Sequence, residues 1–302
     1  MSEAIFITSI GRPQLYDTLA SLDKSLSTRT SVYLSIQDDF YLDASIYKFI
    51  DLKIFYHKKR GASLGKNLTL KNSTEKKLLF IDDDIIVDKN WIQEMLSSLD
   101  EHDLVFGKTI PYLPEKYSGM ICTCCFEKKN FEQRITTGVV KHWLEVGFSN
   151  NMAINRTIFN KVGYFKEWLG PGSIGRNGLD AEFILRCLLS GKSIYYNQKS
   201  ICYHNSWFKI SDFIYKNIDY ELGGLLAYGY HYFKTKNTQV RSIFLSNISD
   251  LLDIGSIPYK FTIIVKDANL FSLISFTREY VTRFYLFIFG ICLVYYKYLT
   301  DK

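Results

Sequence analysis

The first half of the chain alternates short apolar runs with segments whose apolar residues recur at helical spacing. The apolar runs predict β-strands at 4–10, 31–39, 52–57, 76–84 and 103–110. Helices are predicted between them at 13–26, 58–73 and 88–99. Such alternation predicts an α/β domain with a mostly parallel sheet flanked by helices. Sheets of this kind bind ligands beyond the carboxyl ends of their strands.

The second half of this region is less regular. Residues 112–146 carry no clear pattern, and 147–165 predict a strand, a turn and a short helix. A glycine-rich loop at 170–178 precedes a predicted helix at 179–191 and two predicted short strands within 192–204.

From about residue 206 the sequence predicts aromatic-rich helices that carry scattered Lys and Arg. The last of them holds thirteen uninterrupted apolar residues, 284–296, between Arg283 and Lys297. A membrane-spanning helix needs about 20 apolar residues, so a full span is disfavoured. A helix lying in the membrane interface and a helix packed on the domain both remain open. We therefore predict two parts, 1–205 and a helical extension at 206–302.

The composition allows one large domain, or one domain with a smaller appendage, because 302 residues with 47% hydrophobic content bury a sizeable core. The net charge of +6 suits an anionic small molecule or membrane surface and does not predict nucleic-acid binding. Six cysteines include the cluster 121–125, which lacks a second ligand pair at zinc spacing, so we expect reduced thiols. The chain starts without a secretion signal, and a cytoplasmic location is expected.

Polar residues follow three of the predicted strands, at 8–12, 38–39 and 82–84. On an extended strand Asp82 and Asp84 point to the same side, where two carboxylates can hold one Mg²⁺ or Mn²⁺ ion. A bound cation would offset the repulsion among the three charges. The alternative is a solvated turn between a strand and a helix.

Asp180 stands near the start of the helix that follows the glycine-rich loop. The helix dipole favours an ionised carboxylate there, and such a group can act as a general base. The alternative is a capping residue without a chemical role.

Six segments in order, covering about residues 4–205, resemble inverting nucleotide-sugar glycosyltransferases of family 2, which have the Rossmann-like GT-A fold. The segments are FITSIGRP (6–13), SIQDD (35–39), RGASLGKNLTL (60–70), FIDDD (80–84), GFSNNMAIN (147–155) and GLDAEFILRC (178–187) with its closing His204. Three departures are visible: Gly11 stands where Asn is usual, Gly65 and Lys66 replace the usual Ala-Arg, and Leu179 stands where Glu is usual. Asp180 then matches the family's base, with Glu182 as the fallback for the missing helper carboxylate.

The resemblance implies a role for each matching residue. Asp180 would be the catalytic base, and Asp82, Asp84 and His204 would hold Mn²⁺ or Mg²⁺. An acceptor-binding role is implied for Asn150, Asn151 and Glu182. The implied nucleotide-binding residues are Thr8, Arg12, Asp38, Lys66, Asp82 and Asp83.

The function implied is metal-dependent, inverting transfer of a sugar from a nucleotide-sugar donor to a hydroxyl of a glycan or a polyprenyl-diphosphate-linked acceptor. The expected setting is bacterial surface polysaccharide synthesis on the inner face of the cell membrane, with residues 206–302 making a peripheral membrane contact. A different class stays open, a non-catalytic nucleotide-binding scaffold of a polysaccharide assembly complex. A nucleotidyltransferase is disfavoured because residues 9–14 are too short and too poor in glycine for its phosphate loop.

Overall fold

The structure, a computed structural model, describes residues 2–37, 40, 42–128, 133–136, 138–139, 146–257, 259–260 and 270–301. Its strands are β1 Glu3–Ser9, β2 Thr30–Ile36, β3 Ile50–Tyr56, β4 Lys77–Asp82, β5 Ile85–Val87, β6 Leu104–Pro111, β7 Met120–Cys122, β8 Gln133–Thr136, β9 Asn151–Asn155, β10 Ile194–His204 and β11 Trp207–Lys209. Its helices are α1 Gln14–Ser25, α2 Ala62–Lys71, α3 Trp91–Glu101, α4 Thr157–Val162, α5 Leu179–Leu189, α6 Ile210–Thr235, α7 Thr238–Leu252 and α8 Leu270–Thr300.

The central sheet has the strand order β3-β2-β1-β4-β9-β6-β10-β5, with β8 also paired to β10. The four strands β3, β2, β1 and β4 run parallel, as predicted from the alternation of strands and helices. Antiparallel pairing begins where β9 inserts between β4 and β6, so the sheet is parallel in its first half and mixed in its second. The predicted α/β class is confirmed.

Strand β1 shows why the central strands read as continuous apolar runs. Ile5 and Ile7 pack on one side of the sheet in a cluster that includes apolar residues of α1 and α3. Ala4 and Phe6 pack on the other side with residues of α4 and α5. Because helices cover both faces, neither set of side chains meets water and polar alternation is absent.

Residues 192–204 do not form two strands as predicted. They form the single long strand β10, whose pairing with β6 shifts register between Asn197 and Ile201. Such a shift marks a bulge, in which extra residues bend the strand without ending it. The carbonyl end of β10 therefore reaches the same edge of the sheet as the carbonyl end of β4, which places His204 beside the aspartates.

Helices α6, α7 and α8 share a third apolar cluster with α5. The approach of α6 to the start of α5 requires glycine on both sides. A Cβ on Gly178 would lie 2.6 Å from the carbonyl oxygen of Gly223, closer than side chains tolerate. The apolar cluster thus spans residue 205, and the division into domains at that point stays a prediction.

A buried charged network also joins α5 to α6. Glu182 is 1% exposed, and its carboxylate accepts two hydrogen bonds from Arg186 at 2.8 and 2.9 Å. His231 of α6 contacts the same carboxylate at 2.9 Å. Burial would raise the pKa of Glu182, but Arg186 and His231 lower it to about 2. The side chain is therefore held as an anion inside the helical layer.

Within the described residues, one helical segment, Leu273–Thr300 of α8, is long and apolar enough to cross a membrane by length and composition. Its inner side packs in the third apolar cluster through Leu286, Leu293 and Val294. The opposite side exposes large apolar groups, including Phe284 at 60% and Tyr285 at 67%.

The Glu182 network gives a stability prediction. Replacing Glu182 with Gln leaves the buried Arg186 guanidinium without its counter-charge, so we expect a loss of about 3 kcal/mol in the free energy of unfolding. Urea unfolding followed by circular dichroism measures this loss. The matched control is Glu101→Gln at an exposed position, which should change stability by less than about 0.5 kcal/mol. Equal stabilities of the two variants would contradict the assigned network.

Candidate active site

One cavity, with a volume of about 180 Å³, lies where several loop and helix ends meet at the carbonyl edge of the sheet. Its walls come from the turns after β1 and β4, the end of β10 and the first turns of α2 and α5. The charged and titratable groups among its lining residues include Arg12, Lys66, Asp82, Asp84, Asp180 and His204. The structure therefore brings together six of the twelve site residues that the sequence singled out.

The three aspartates after β4 divide between two directions. The side chain of Asp82 is 41% exposed and that of Asp84 only 4%, yet both line the cavity. Asp83 points away from it and accepts a hydrogen bond from the Ser9 hydroxyl at 2.6 Å. Asp82 and Asp84 thus lie on the same side, facing the cavity, as their spacing predicted.

Asp84 is held between two cationic groups. Arg12 Nη1 donates to one carboxylate oxygen at 2.9 Å, and His204 Nε2 lies 3.1 Å from the other. Burial would raise the pKa of Asp84, but His204 and Arg12 lower it to about 2. Although burial opposes it, the hydrogen bond to Asp84 raises the pKa of His204 well above 6.5. In this state the pair is a carboxylate bound to an imidazolium.

Arg12 bridges two of the three carboxylates, because its Nη2 also lies 3.1 Å from Asp83. Burial raises the pKa of Asp83 to about 6, with Arg12 opposing the increase. Asp83 is fully buried and does not line the cavity. Asp83 therefore holds the Arg12 guanidinium without facing the cavity. Its direct contact with nucleotide stays a prediction that this placement does not support.

Lys66 enters the cavity from α2. Its side chain is almost completely buried, and its Nζ lies 3.5 Å from Asp82. The neighbouring Gly65 explains one departure from the family pattern, since a Cβ there would lie 2.4 Å from Ser35 Oγ and 2.7 Å from Thr8 Cγ2. Thr8 therefore packs against α2 and is not among the cavity residues, so a direct nucleotide contact by Thr8 stays a prediction.

Asp180 is the second residue of α5 and lines the same cavity as the aspartates of β4. Burial raises its pKa to about 6, while hydrogen bonds from Ser149 and the charge of Lys66 oppose the increase. Its Oδ1 atom is buried and has no hydrogen-bond partner among the described residues. A buried carboxylate oxygen without a donor can accept a proton from a bound hydroxyl.

The glycine-rich loop at 170–178 forms another wall. The Pro171 carbonyl accepts from the Ala62 amide at 2.9 Å, and the Ser63 hydroxyl donates to the Leu169 carbonyl at 2.6 Å. These bonds tie the loop to the start of α2. Pro171 and Asn177 then face the cavity.

The predicted acceptor residues do not reach the cavity. Asn151 accepts from Trp91 Nε1 at 2.8 Å and donates to the carbonyls of Lys108 and Ser200 at 2.9 and 3.1 Å. Asn150 donates to the Cys124 carbonyl at 3.0 Å. Both are buried, and their amides hold strands and loops together, so the acceptor role stays a prediction that this placement does not support.

Glu182 does not line the cavity either, because its carboxylate is bonded to Arg186 and His231 inside the helical layer, and its acceptor role also stays a prediction. The cavity is lined nearby by Phe148 and Ser149 instead. Asp38, one of the predicted nucleotide-binding residues, lies outside the described residues.

Several cavity residues come from segments without a recognised motif. Lys216 and Tyr220 extend from α6, Phe208 from β11, and Thr123 and Cys124 from the turn after β7. The Tyr220 hydroxyl lies 3.3 Å from Cys124 Sγ. No local pattern distinguishes these residues, since only the docking of α6 on α5 brings them to the site.

All six cysteines are free, as predicted. A turn through Cys124, whose φ is +54°, folds Cys125 back so that its Sγ lies 3.5 Å from Cys122 Sγ. His204 supplies a third potential metal ligand, and the three ligand atoms lie within 4.8 Å of one another. However, His204 Nδ1 is 2.6 Å from the Thr123 carbonyl and donates to it, which leaves that nitrogen no lone pair for a soft metal.

Comparison with known proteins gives a family match for part of the chain. Residues 35–163 match the family model of glycosyl transferase family 2, a range that contains the three aspartates and ends before α5. No curated protein matches the sequence significantly.

Solved structures share the fold at low sequence identity. The chain is similar to TarS of S. aureus, with 14% identity and a TM-score of 0.57 over 82% of this chain and 44% of TarS. It is also similar to TarS 1–349 in complex with UDP-GlcNAc, with 14% identity and a TM-score of 0.56 over 96% of this chain and 82% of that fragment. The mannosyltransferase PcManGT of Pyrobaculum calidifontis, in complex with GDP-Man and Mn2+, matches at 12% identity and a TM-score of 0.52 over 99% and 87%.

The chain thus spans less than half of the TarS structure that it matches, and these likenesses concern the fold. The family match, the order of the sequence segments and the shared architecture agree with one another. Residues 35–163 thus match glycosyl transferase family 2, and the chain has the GT-A fold that it shares with these structures.

Proposed function

We propose that this glycosyltransferase is metal-dependent and inverting, and that it transfers a sugar from a nucleotide-sugar donor to a hydroxyl of a glycan or lipid-linked acceptor. One observation carries the proposal. The acidic pair Asp82 and Asp84 lines the same cavity as Asp180, which belongs to a different wall. The neighbours in complex with UDP-GlcNAc and with GDP-Man support a nucleotide-sugar donor.

The residues around Asp84 fit a divalent cation. Asp82 and Asp84 line the cavity there, and their carboxylate oxygens suit Mn²⁺ or Mg²⁺. His204 Nε2 now donates to Asp84 and would join them as a ligand only after losing that proton. The two cationic partners of Asp84 now supply the counter-charge that an ion would supply. When bound, the ion would neutralise negative charge on the diphosphate leaving group.

Two cationic side chains of the protein would bind the same diphosphate leaving group. Lys66 Nζ and the Arg12 guanidinium both line the cavity beside the aspartates. In a partly buried site their charges are weakly screened, so they favour a diphosphate over a neutral ligand. Asp84, whose oxygens both accept hydrogen bonds, keeps Arg12 aimed into the cavity.

Asp180 would take the proton of the acceptor hydroxyl as that oxygen attacks the anomeric carbon. A single displacement inverts the configuration, and it needs a base on a different side of the sugar from the leaving group. With a pKa of about 6, Asp180 is mostly ionised at pH 7 and still basic enough to accept a proton. Ser149 orients the carboxylate through its hydrogen bonds.

The outer side of α8 supports a proposed membrane contact at the inner face of the cell membrane. Its exposed apolar residues recur on one side of the helix and are Leu273, Ile274, Val281, Phe284, Tyr285, Ile288, Tyr295, Tyr296 and Leu299. The other side is fixed in the third apolar cluster, and Arg283 is buried against Glu221 at 2.6 Å. A helix so anchored is suited to lie in the interface, as amphipathic helices do, and a role in surface polysaccharide synthesis would follow from that location.

The metal proposal predicts that Asp84→Asn weakens Mn²⁺-dependent binding of nucleoside diphosphates by at least about tenfold, because one anionic ligand is lost. A thermal-shift screen of UDP, GDP and dTDP first finds the nucleotide. Calorimetric titration with and without Mn²⁺ then measures the effect. Asp250→Asn, at an exposed position of α7, is the control. Identical binding heats for the two variants would exclude the assigned metal ligand.

The base proposal predicts that Asp180→Asn lowers kcat by about 10²–10⁴-fold while donor binding changes little. Release of nucleoside diphosphate from the donor measures turnover. The parent rate should increase from pH 5 to 7, because Asp180 must lose its proton near pH 6, and the variant should lack this increase.

The same experiment tests the alternative that the protein is a non-catalytic scaffold. Leu179 favours this alternative, because a buried apolar group stands where a second carboxylate beside Asp180 is usual. Nucleotide binding by parent and variant without turnover of any donor would support the scaffold. Turnover by the parent alone would support the enzyme.

The membrane proposal predicts that Phe284→Ser with Ile288→Ser reduces binding to vesicles of phosphatidylcholine and phosphatidylglycerol by at least about tenfold, since two large apolar groups are lost. Vesicle sedimentation measures binding. The control, Ile46→Ser with Tyr56→Ser, removes two exposed apolar groups elsewhere. Equal sedimentation of the two variants would show that α8 does not dock on the bilayer.

A further inference from the structure

Two more cavities adjoin the catalytic cavity and share walls with it. A middle cavity of about 350 Å³ shares Pro171, Asn177 and Lys216 with the catalytic cavity. An outer cavity of about 740 Å³ shares Arg60, Gly172 and Ser173 with the middle one. The three hollows therefore form one continuous depression, here named the basic trough, that runs from Asp180 along the glycine-rich loop to the end of α8.

The middle and outer cavities of the basic trough are lined by more positive than negative side chains. Five of its cations have no carboxylate within ion-pair distance among the described residues; they are Lys216, Arg60, Lys59, Lys71 and Lys297. Arg60 and Lys216 stand at the two junctions between cavities.

The acidic residues of the trough are mostly neutralised by neighbours. Asp301 pairs with Lys166 at 2.5 Å, and Asp219 pairs with Arg176 at 2.9 Å. Outside the catalytic cavity Glu167 is the remaining acid, and it accepts a hydrogen bond from Asn67 at 3.2 Å. The excess charge is therefore positive in the middle and outer cavities, which favours an anionic ligand at low and moderate salt.

The outer cavity also offers groups that bind sugars. Tyr164 is 42% exposed there, and Trp168 is 8% exposed in the same wall. The indole Nε1 of Trp168 is buried and has no hydrogen-bond partner among the described residues. Aromatic rings present a flat apolar face, and an unpaired indole N–H is a donor for a hydroxyl or an anionic oxygen.

We propose that the basic trough binds the acceptor, and that the acceptor is a glycan chain carrying phosphate or carboxylate groups along its length. This rests on the proposed function, because the trough leads to the base that would activate the acceptor hydroxyl. A chain fits better than a lipid surface, since these cations line a concave path continuous with the catalytic cavity. Repeated negative charges would meet Lys216, then Arg60, then the lysines of the outer cavity.

The test uses full-length protein and three labelled oligomers: short-chain inorganic polyphosphate, oligogalacturonate and neutral dextran. Fluorescence anisotropy measures their affinities at several salt concentrations. We expect the parent to bind one or both anionic oligomers in a salt-dependent manner and to bind dextran much more weakly. The variant Arg60→Gln with Lys297→Gln should bind the anionic oligomer about tenfold more weakly, with a shallower salt dependence because two charges are missing.

The control, Lys24→Gln with Lys199→Gln, removes the same charge from exposed positions that line none of the three cavities. It should bind like the parent, and nucleotide-induced thermal shifts should be the same in all three proteins. Polyphosphate binding alone points to a phosphate-bearing acceptor, and oligogalacturonate binding alone to a carboxylate-bearing one.

The proposal would be overturned if the parent bound neither anionic oligomer. It would also be overturned if the control variant weakened oligomer binding as much as the Arg60 and Lys297 variant. A third contrary result is that the Arg60 and Lys297 variant loses binding to anionic vesicles while no oligomer binds. The last result would assign the cations to lipid headgroups. Turnover of a nucleotide sugar with a neutral acceptor, together with no oligomer binding, would overturn the trough and leave the proposed function intact. In the opposite case, the oligomer binds in a manner that depends on Arg60 and Lys297, but no donor is turned over. That result would support the trough as an anion site and reject the enzymatic function.

Discussion

Three adjacent carboxylates at the end of a buried strand repel one another, and the arrangement of the site follows from how that repulsion is offset. The turn after β4 directs the side chain of Asp83 toward Ser9 at the end of β1 and leaves Asp82 and Asp84 on the cavity side. Arg12 then contacts both Asp83 and Asp84, while His204 takes the remaining oxygen of Asp84. Because both partners must reach one carboxylate, the turn after β1 and the end of β10 are fixed at the end of β4.

This charge constraint depends on close packing around it. Gly65 lets α2 approach β1 and β2, which brings Lys66 beside Asp82. Gly178 and Gly223 let α6 approach α5, which brings Lys216 and Tyr220 to the cavity. The helical extension therefore completes the site as well as covering the core, and its buried Glu182 network keeps α5 in register with α6. Glycine at these points is required by the space available, whatever the rest of the local sequence prefers.

The sequence predicted the features that depend on local periodicity. Alternating strands and helices gave the parallel half of the sheet, and the spacing of Asp82 and Asp84 gave their common direction. Long-range partners were not predictable in this way: β9 pairs antiparallel with β4 only because the chain returns between β4 and β6. The family resemblance implied a site role for Asn150 and Asn151, yet their amides satisfy buried carbonyls of distant segments. The grouping of the cations in the basic trough was not predictable from the sequence either, since they are scattered along the chain and become neighbours only in the fold.

The two buried carboxylates of the cavity differ because their partners differ. Burial disfavours the anion at both Asp84 and Asp180, but cationic groups at Asp84 reverse that effect and lower its pKa to about 2. Asp180 has only hydrogen bonds from Ser149 and the field of Lys66, so its pKa stays near 6. One carboxylate is thereby kept permanently anionic, as a ligand for positive charge must be, and the other is able to gain and lose a proton near neutral pH. Because Arg12 and His204 lie beside Asp84 and not beside Asp180, one aspartate is suited to binding positive charge and the other to transferring a proton.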